Sequence, residues 1–142
     1  MSTDKGQPGF SPALEGGRLE CLRSAYEQKV IEAARRTVRV TTYVLASSVS
    51  ERRADQELIE AHVRGQGWKL ALSSFWDFGQ APPVTDRTGF GEASRYAAQG
   101  FAHGIAAIGR QAITTDNATY EELLHFLGSR GVFLAYLPGP TP

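Results

Sequence analysis

The sequence predicts an α/β protein: an open, mainly parallel four-stranded sheet with helices on both faces, preceded by one extra N-terminal helix. Three observations carry this. Strand-like and helix-like apolar patterns alternate four times over about a hundred residues, the order of elements that builds such a sheet. Two of the strand-like runs, Ile105–Ile108 and Val132–Leu137, are continuously apolar, as strands covered on both faces are. The length of 142 residues, with 42% hydrophobic and 21% charged side chains, suits one globular domain.

The elements follow in order. Residues 1–17, with Gly9, Gly16, Gly17 and two prolines, read as a flexible leader. Leu19, Leu22, Tyr26, Val30 and Ala33 recur at helical spacing and predict an amphipathic helix over 18–36. Its stripe must cover either the sheet or another copy of the chain. The β-branched and aromatic run Val38–Ala46 predicts the first strand. Ser48 and Glu51 have capping-box spacing, and Leu58, Ile59 and Val63 continue one face, so a helix spans about 50–65. Lys69–Trp76 is the second strand, followed by a loop over Asp77–Thr88 that contains Pro82 and Pro83. Phe90, Ala93 and Ala97 mark a third helix ending near Gly100. Ile105–Ile108 is the third strand. Tyr120, Leu123, Leu124 and Leu127 give the fourth helix, with Thr119 and Glu122 as its capping box, and Val132–Leu137 closes the sheet before a tail over 138–142.

Composition excludes several functions. One cysteine permits no intramolecular disulfide, and His62, His103 and His125 have no ligand partner at metal-binding spacing, so neither a metal nor another cofactor is called for. No apolar run reaches the length of a membrane span, and the N-terminus lacks the plan of a signal peptide, so a cytoplasmic protein is expected. Fifteen basic and fifteen acidic residues cancel, against the surplus that a dedicated nucleic-acid binder carries. The cancellation is uneven. Residues 18–53 hold eight Lys/Arg against four Asp/Glu, net +4, concentrated in Arg35, Arg36, Arg39, Arg52 and Arg53; residues 54–142 hold six against nine, net −3. Such a concentration reads most simply as a solvated helix end.

In an open parallel sheet ligands sit beyond the carboxyl ends of the strands. The candidate site is therefore built from Ala46–Ser50, Asp77–Thr88 and Gly109–Thr115. Ser47 and Ser48 lie at the turn into a helix, where free N–H groups favour an anion such as phosphate. Serines at such turns also serve simply as caps. Asp116, Glu121 and Glu122 read as charges complementing a helix N-terminus, and Trp68 and Trp76, flanking the second strand, as packing residues.

Taken together, residues 38–137 resemble the catalytic domain of serine recombinases, the resolvase and invertase family. That family's first strand ends in Tyr-x-Arg-Val-Ser with a Gln nine residues on; here Tyr43-Val44-Leu45-Ala46-Ser47 is followed by Gln56, and the helix closes at Gly67-Trp68. The family's Asp-x-Gly is matched by Asp77-Phe78-Gly79, its Arg-Pro-Gly by Arg87-Thr88-Gly89, and its closing Gly-Val by Gly131-Val132. The resemblance implies that Ser47 is the nucleophile toward a DNA phosphodiester and Arg87 one of the arginines that carry the transition-state charge. Other family arginines are missing. Leu45 stands two positions before the serine, and the family's Asp-Arg-Leu-Ser-Arg falls on Gln111-Ala112-Ile113-Thr114-Thr115, with Ala112 and Thr115 at both arginine positions. Arg110 is a nearby candidate substitute, and Ser48 and Arg110 are candidate phosphate contacts.

Removing one preorganised transition-state donor costs roughly 2.7–4 kcal/mol, and an arginine on a phosphoryl group can be worth about 10³–10⁵ in rate. Three missing arginines predict a recombinase-like domain that has lost strand cleavage and acts as a partner-binding or regulatory module. The chain stops five residues after its last strand, without the dimerisation helix or DNA-binding domain of that family, which supports the same expectation. Two alternatives stay open. One is an active or accessory recombinase using Ser47, with arginines and a DNA-binding domain supplied by a partner. The other is a site for a small phosphorylated ligand at Ala46–Ser50 and Arg87. A homodimer or partner protein is expected to use the helix of 18–36, and DNA contact to be weak.

Overall fold

All four strand-like runs enter one wholly parallel sheet in the computed structural model, which describes residues 12–79 and 81–139. Strands β1 (Arg39–Ala46), β2 (Lys69–Phe78), β3 (Gly104–Ala107) and β4 (Phe133–Tyr136) lie in the order β2-β1-β3-β4. Helices α1 (Pro12–Ala33), α2 (Val49–Gly65), α3 (Thr88–Tyr96) and α4 (Asn117–Ser129) complete the alternation. The fold class is the one the sequence predicts.

Period-two alternation of side chains sorts the core onto two faces. Val40, Val44 and Ala46 of β1, Ala106 of β3, and Phe133 and Ala135 of β4 pack with Ile59 and Val63 of α2. Tyr43, Ile105, Ala107 and Leu134 point the other way, into a cluster with Phe90 and Ala93 of α3 and Tyr120, Leu124 and Leu127 of α4. The chain moves from β1 outward to β2, then returns past β1 to β3, so α2 and α3 cover opposite faces. The crevice between β1 and β3 is thereby a topological switch point, where open sheets hold their ligands.

Helix α1 departs from the expected bounds at both ends. It starts at Pro12 rather than 18 and stops at Ala33 rather than 36, so residues 12–17 are helix and not leader. Gly16 and Gly17 lower helix propensity but meet no steric conflict there, and Arg18, bonded to Glu15 (2.7 Å) and to Glu121 of α4 (2.6 Å), ties the first turns down. The remaining leader residues 1–11 and tail residues 140–142 lie outside the described residues. Leu19 packs in the α3/α4 cluster and Val30 in the α2 cluster, so α1 wraps around the β4 edge. The apolar stripe, expected to cover either the sheet or a second copy, is thus covered within the chain, apart from Ala33, which is exposed.

Three further expectations differ from the structure. β2 runs two residues beyond Trp76, because Asp77 and Phe78 still pair with Leu45 and Ala46. The cap of α4 is Asp116, whose carboxylate accepts from the Thr119 N–H (2.8 Å), rather than Thr119 itself. The basic concentration is split: Arg35, Arg36 and Arg39 stand at the amino end of β1, and Arg52 and Arg53 in the first turns of α2, near the strand's carboxyl end. Among the described residues no helix is long and apolar enough to cross a membrane.

Candidate functional site

Strand β1 delivers Ser47 to the switch point, one residue before α2 is capped. The Ser48 hydroxyl accepts from the Glu51 N–H (3.1 Å), which fixes the first turn. Glu51 then reaches back. Its Oε1 accepts both the Ser47 N–H (2.7 Å) and the Ser47 hydroxyl (3.1 Å). The turn attracts an anion through free N–H groups and the positive helix end, and the anion that meets Ser47 is the chain's own carboxylate.

Beside this turn lies a cleft of about 240 Å³ between the ends of β1 and β3, lined among others by Tyr43, Leu45, Glu51, Asp55, Gln111 and Ala112. Its charged lining residues are the two carboxylates. Burial, and secondly the charge of Glu51, raise the Asp55 carboxyl above its ordinary value. Leu45 and Ala112, two of the positions where the family resemblance expects guanidinium groups, border the cleft with apolar side chains; Thr115 is exposed beyond it.

Arg87 enters from the start of α3 and bridges two loops, its Nε donating to the Pro82 carbonyl and its Nη1 to the Ala112 carbonyl, each at 2.8 Å. Asp77 anchors the same region. Its carboxylate accepts from Tyr43 Oη (2.8 Å) and from the N–H groups of Gly89 (2.9 Å) and Phe90 (3.1 Å), capping α3. Burial first, and the bond to Asp77 second, push the Tyr43 hydroxyl well above the usual tyrosine range, with Arg87 acting in the opposite sense. Gly89 is required here, because a Cβ at that position would fall 2.1 Å from the Trp76 carbonyl oxygen.

Arg110 turns to its own loop. Its Nε donates to the Thr114 carbonyl (3.0 Å), its Nη2 to Asn117 Oδ1 (2.7 Å), and its guanidinium stacks on the Tyr120 ring at 4.1 Å. The structure therefore brings Ser47, Ser48, Leu45 and Ala112 around the switch point, spends Arg87 on loop carbonyls, and directs Arg110 to the start of α4. The histidines are dispersed: His103 Nδ1 accepts the Arg39 N–H (3.0 Å), His125 bonds the Tyr26 hydroxyl (2.5 Å), and His62 lies on α2. Trp68 packs on Phe133, whereas Trp76 keeps 39% of its surface exposed beneath the Arg52 guanidinium. Sequence reasoning missed Glu51 and Asp55 as cleft residues. Glu51 was legible as a capping residue, but its four-residue distance from Ser47 was the available signal for the second contact.

No protein-family model and no curated protein matches the chain. Solved structures do. The C-terminal catalytic domain of ISC1926 TnpA, an IS607-like serine recombinase, aligns with TM-score 0.59 at 16% identity over 73% of this chain and 72% of that one. The N-terminal catalytic domain of TP901-1 integrase aligns with TM-score 0.60 at 11% identity, over 70% and 76%. The first ORF of transposon ISC1904 from Sulfolobus solfataricus P2 gives 0.54 at 16%, over 72% and 71%. The chain has the fold of a serine recombinase catalytic domain.

Proposed function

We propose that this protein is a serine-recombinase-like domain that has lost DNA strand cleavage and exchange and works as a partner-binding or regulatory module. One observation carries the reading: the hydroxyl and N–H of Ser47, the nucleophile position, are both held by the Glu51 carboxylate. A phosphodiester approaching Ser47 meets that negative charge first, and Asp55 lines the same cleft.

Glu51 has a second chemical capacity, since a carboxylate at hydrogen-bond distance can take a proton from a hydroxyl, an effect worth about 10²–10⁴ in rate. Magnitudes decide against it. Two unit charges 4 Å apart repel by about 4 kcal/mol at an effective dielectric near 20, and phosphoryl transfer adds negative charge to be neutralised. The missing guanidinium groups at Leu45, Ala112 and Thr115 each withdraw roughly 2.7–4 kcal/mol more, so the base does not recover what they remove. Arg87, already donating to two carbonyls, supplies one cation where the chemistry needs several.

Incubation of the protein with supercoiled and nicked plasmid, followed by denaturing electrophoresis, tests this reading. No strand break and no protein–DNA adduct is expected, for the native chain and for Ser47→Ala alike. An adduct formed by the native chain and abolished by Ser47→Ala overturns it and favours the active recombinase.

A further inference from the structure

The sheet has two edges, and they are treated differently. Along β4, Arg23 of α1 donates to the outward-facing Leu134 carbonyl (2.7 Å), with its guanidinium 5.7 Å from the centre of the Tyr136 ring. Helix α1 closes that edge, as native proteins commonly do. The other edge is β2, ten residues long and, among the described residues, paired with β1 alone. The Gly79 N–H points to the Ala46 carbonyl (2.9 Å), so by alternation the main-chain groups of Ser74, Trp76 and Phe78 face outward, with Gly89 of α3 against the Trp76 carbonyl. Apolar side chains accompany them. Leu72, thrown out where the register shifts between Val40 and Thr42, is 100% exposed, with Trp76 at 39% and Phe78 at 44%.

Beside this edge runs one stripe of α2. Arg52, Gln56 and Glu60 follow each other at i, i+4 spacing and are joined by hydrogen bonds, Arg52 Nη1 to Gln56 Oε1 (2.6 Å) and Gln56 Nε2 to Glu60 Oε2 (3.0 Å). Its charge reads plus, neutral, minus, and the adjacent Arg53 and Glu57 repeat the two signs. Contacts fix its height against the strand. The Arg52 guanidinium lies 4.3 Å from the Trp76 ring centre, while Gln56 and Glu60 line one hollow with Leu70–Ser74. Gln56 is therefore level with Ser74.

We propose that β2 and this stripe of α2 form the interface of a homodimer, with a two-fold axis passing by Ser74 and Gln56. An isologous contact requires that residue i meet j and j meet i. Because β2 carries two extra residues where Val40 and Thr42 pair with Leu70 and Ser74, rotation about Ser74 sets Leu70 opposite the partner's Trp76 in an antiparallel strand pair, with the extruded Leu72 of each copy close to the axis. The same rotation about Gln56 sets Arg52 opposite the partner's Glu60. Strand and helix thus point to one axis from separate observations, and the two sheets join into a single mixed sheet of eight strands. A strand from an unrelated protein would satisfy the bare main chain but gives no reason for the charge symmetry of α2. The proposal goes beyond the loss of cleavage and does not depend on it.

Sedimentation over a range of concentrations tests it on the full chain. A reversible dimer is expected, weakened at least about tenfold by Leu72→Lys, and weakened also by Arg52→Glu or Glu60→Arg singly. The double variant R52E/E60R, which restores opposite signs across the axis, recovers dimerisation. Circular dichroism establishes that each variant remains folded. In a Cys21→Ser background, Ser74→Cys forms a disulfide-linked dimer on mild oxidation, because the axis brings the two copies of residue 74 together. A dimer unmoved by these changes, or S74C chains that do not cross-link, overturns the proposal. So does a chain that stays monomeric at high concentration, which would leave the edge to a strand of another protein.

Discussion

Glu51 separates what the Ser47 turn is built for from what currently occupies it. Replacing it with alanine removes half of the reciprocal cap of α2, a loss of about 0.5–1 kcal/mol in thermal or denaturant unfolding. It also frees the Ser47 N–H at a helix start, so Glu51→Ala is expected to bind inorganic phosphate measurably more tightly than the native chain in an NMR titration; equal affinities would mean that Glu51 does not block the turn. Asp55 supplies a test through pH. Its folded pKa is raised, so its contribution to stability is fully present below the unfolded carboxylate value and is lost as pH rises through the folded one. Asp116 and Glu121 run the other way. Hydrogen bonds from Thr119, side chain then backbone, depress the first, and a hydrogen bond from Arg18 chiefly depresses the second, so their contributions are lost as pH falls through the folded values. Asp55→Asn is therefore expected to raise the melting temperature near pH 7 and to leave it unchanged at about pH 3, where the native carboxyl is already protonated. A melting curve shifted equally at both pH values would assign the change to packing instead. Ser47, Arg87 and Asp77 were legible because motif spacing names positions. What those side chains touch was not, since Arg87's two carbonyl partners come from loops 5 and 25 residues away.

Between residues and fold, the elements differ in how plainly the sequence announces them. The strands were legible because composition and continuous burial coincide, as in Ile105, Ala106 and Ala107, all fully buried. The end of β2 was not: Asp77 reads as a loop residue, and its place in the strand depends on pairing with β1 and on capping a helix that starts eleven residues later. The start of α1 was missed for a related reason. Gly16 and Gly17 disfavour helix locally, yet the helix runs through them back to Pro12. This helix also sets the behaviour of the β4 edge. Arg23 is largely buried, with 11% of its side chain exposed, and serves Glu20, Glu27 and the Leu134 carbonyl at once. Arg23→Ala leaves that carbonyl without a partner and is expected to destabilise the fold by about 2 kcal/mol, with faster deuterium exchange along β4 than along β3. Uniform exchange across both strands would show that α1 does not guard the edge.

At the scale of the whole molecule, zero net charge carries more information once its placement is known. The +4 segment contributes no single basic face, because Arg18 and Arg23 are paired with glutamates, Arg35, Arg36 and Arg39 stand at the amino end of β1, and Arg52 of α2 is drawn onto Trp76 and Gln56. At the carboxyl end of the sheet, where a phosphodiester would have to lie, Glu51 and Asp55 set the sign of the cleft. The fold class and the Ser47 position were thus readable from order and spacing, whereas the electrostatic character of the site required three-dimensional neighbours. Non-specific DNA affinity provides the corresponding test, since each phosphate contact adds a slope of about −0.9 to log K against log salt. Fluorescence anisotropy with a labelled duplex is expected to give weak binding at low salt and a slope no steeper than about −2, the mark of one or two stray contacts. A steep slope would require a basic surface assembled from separate parts of the chain. Its persistence in Arg52→Glu and Arg53→Glu variants would then place that surface at the amino end of the sheet, around Arg35, Arg36 and Arg39, away from Ser47.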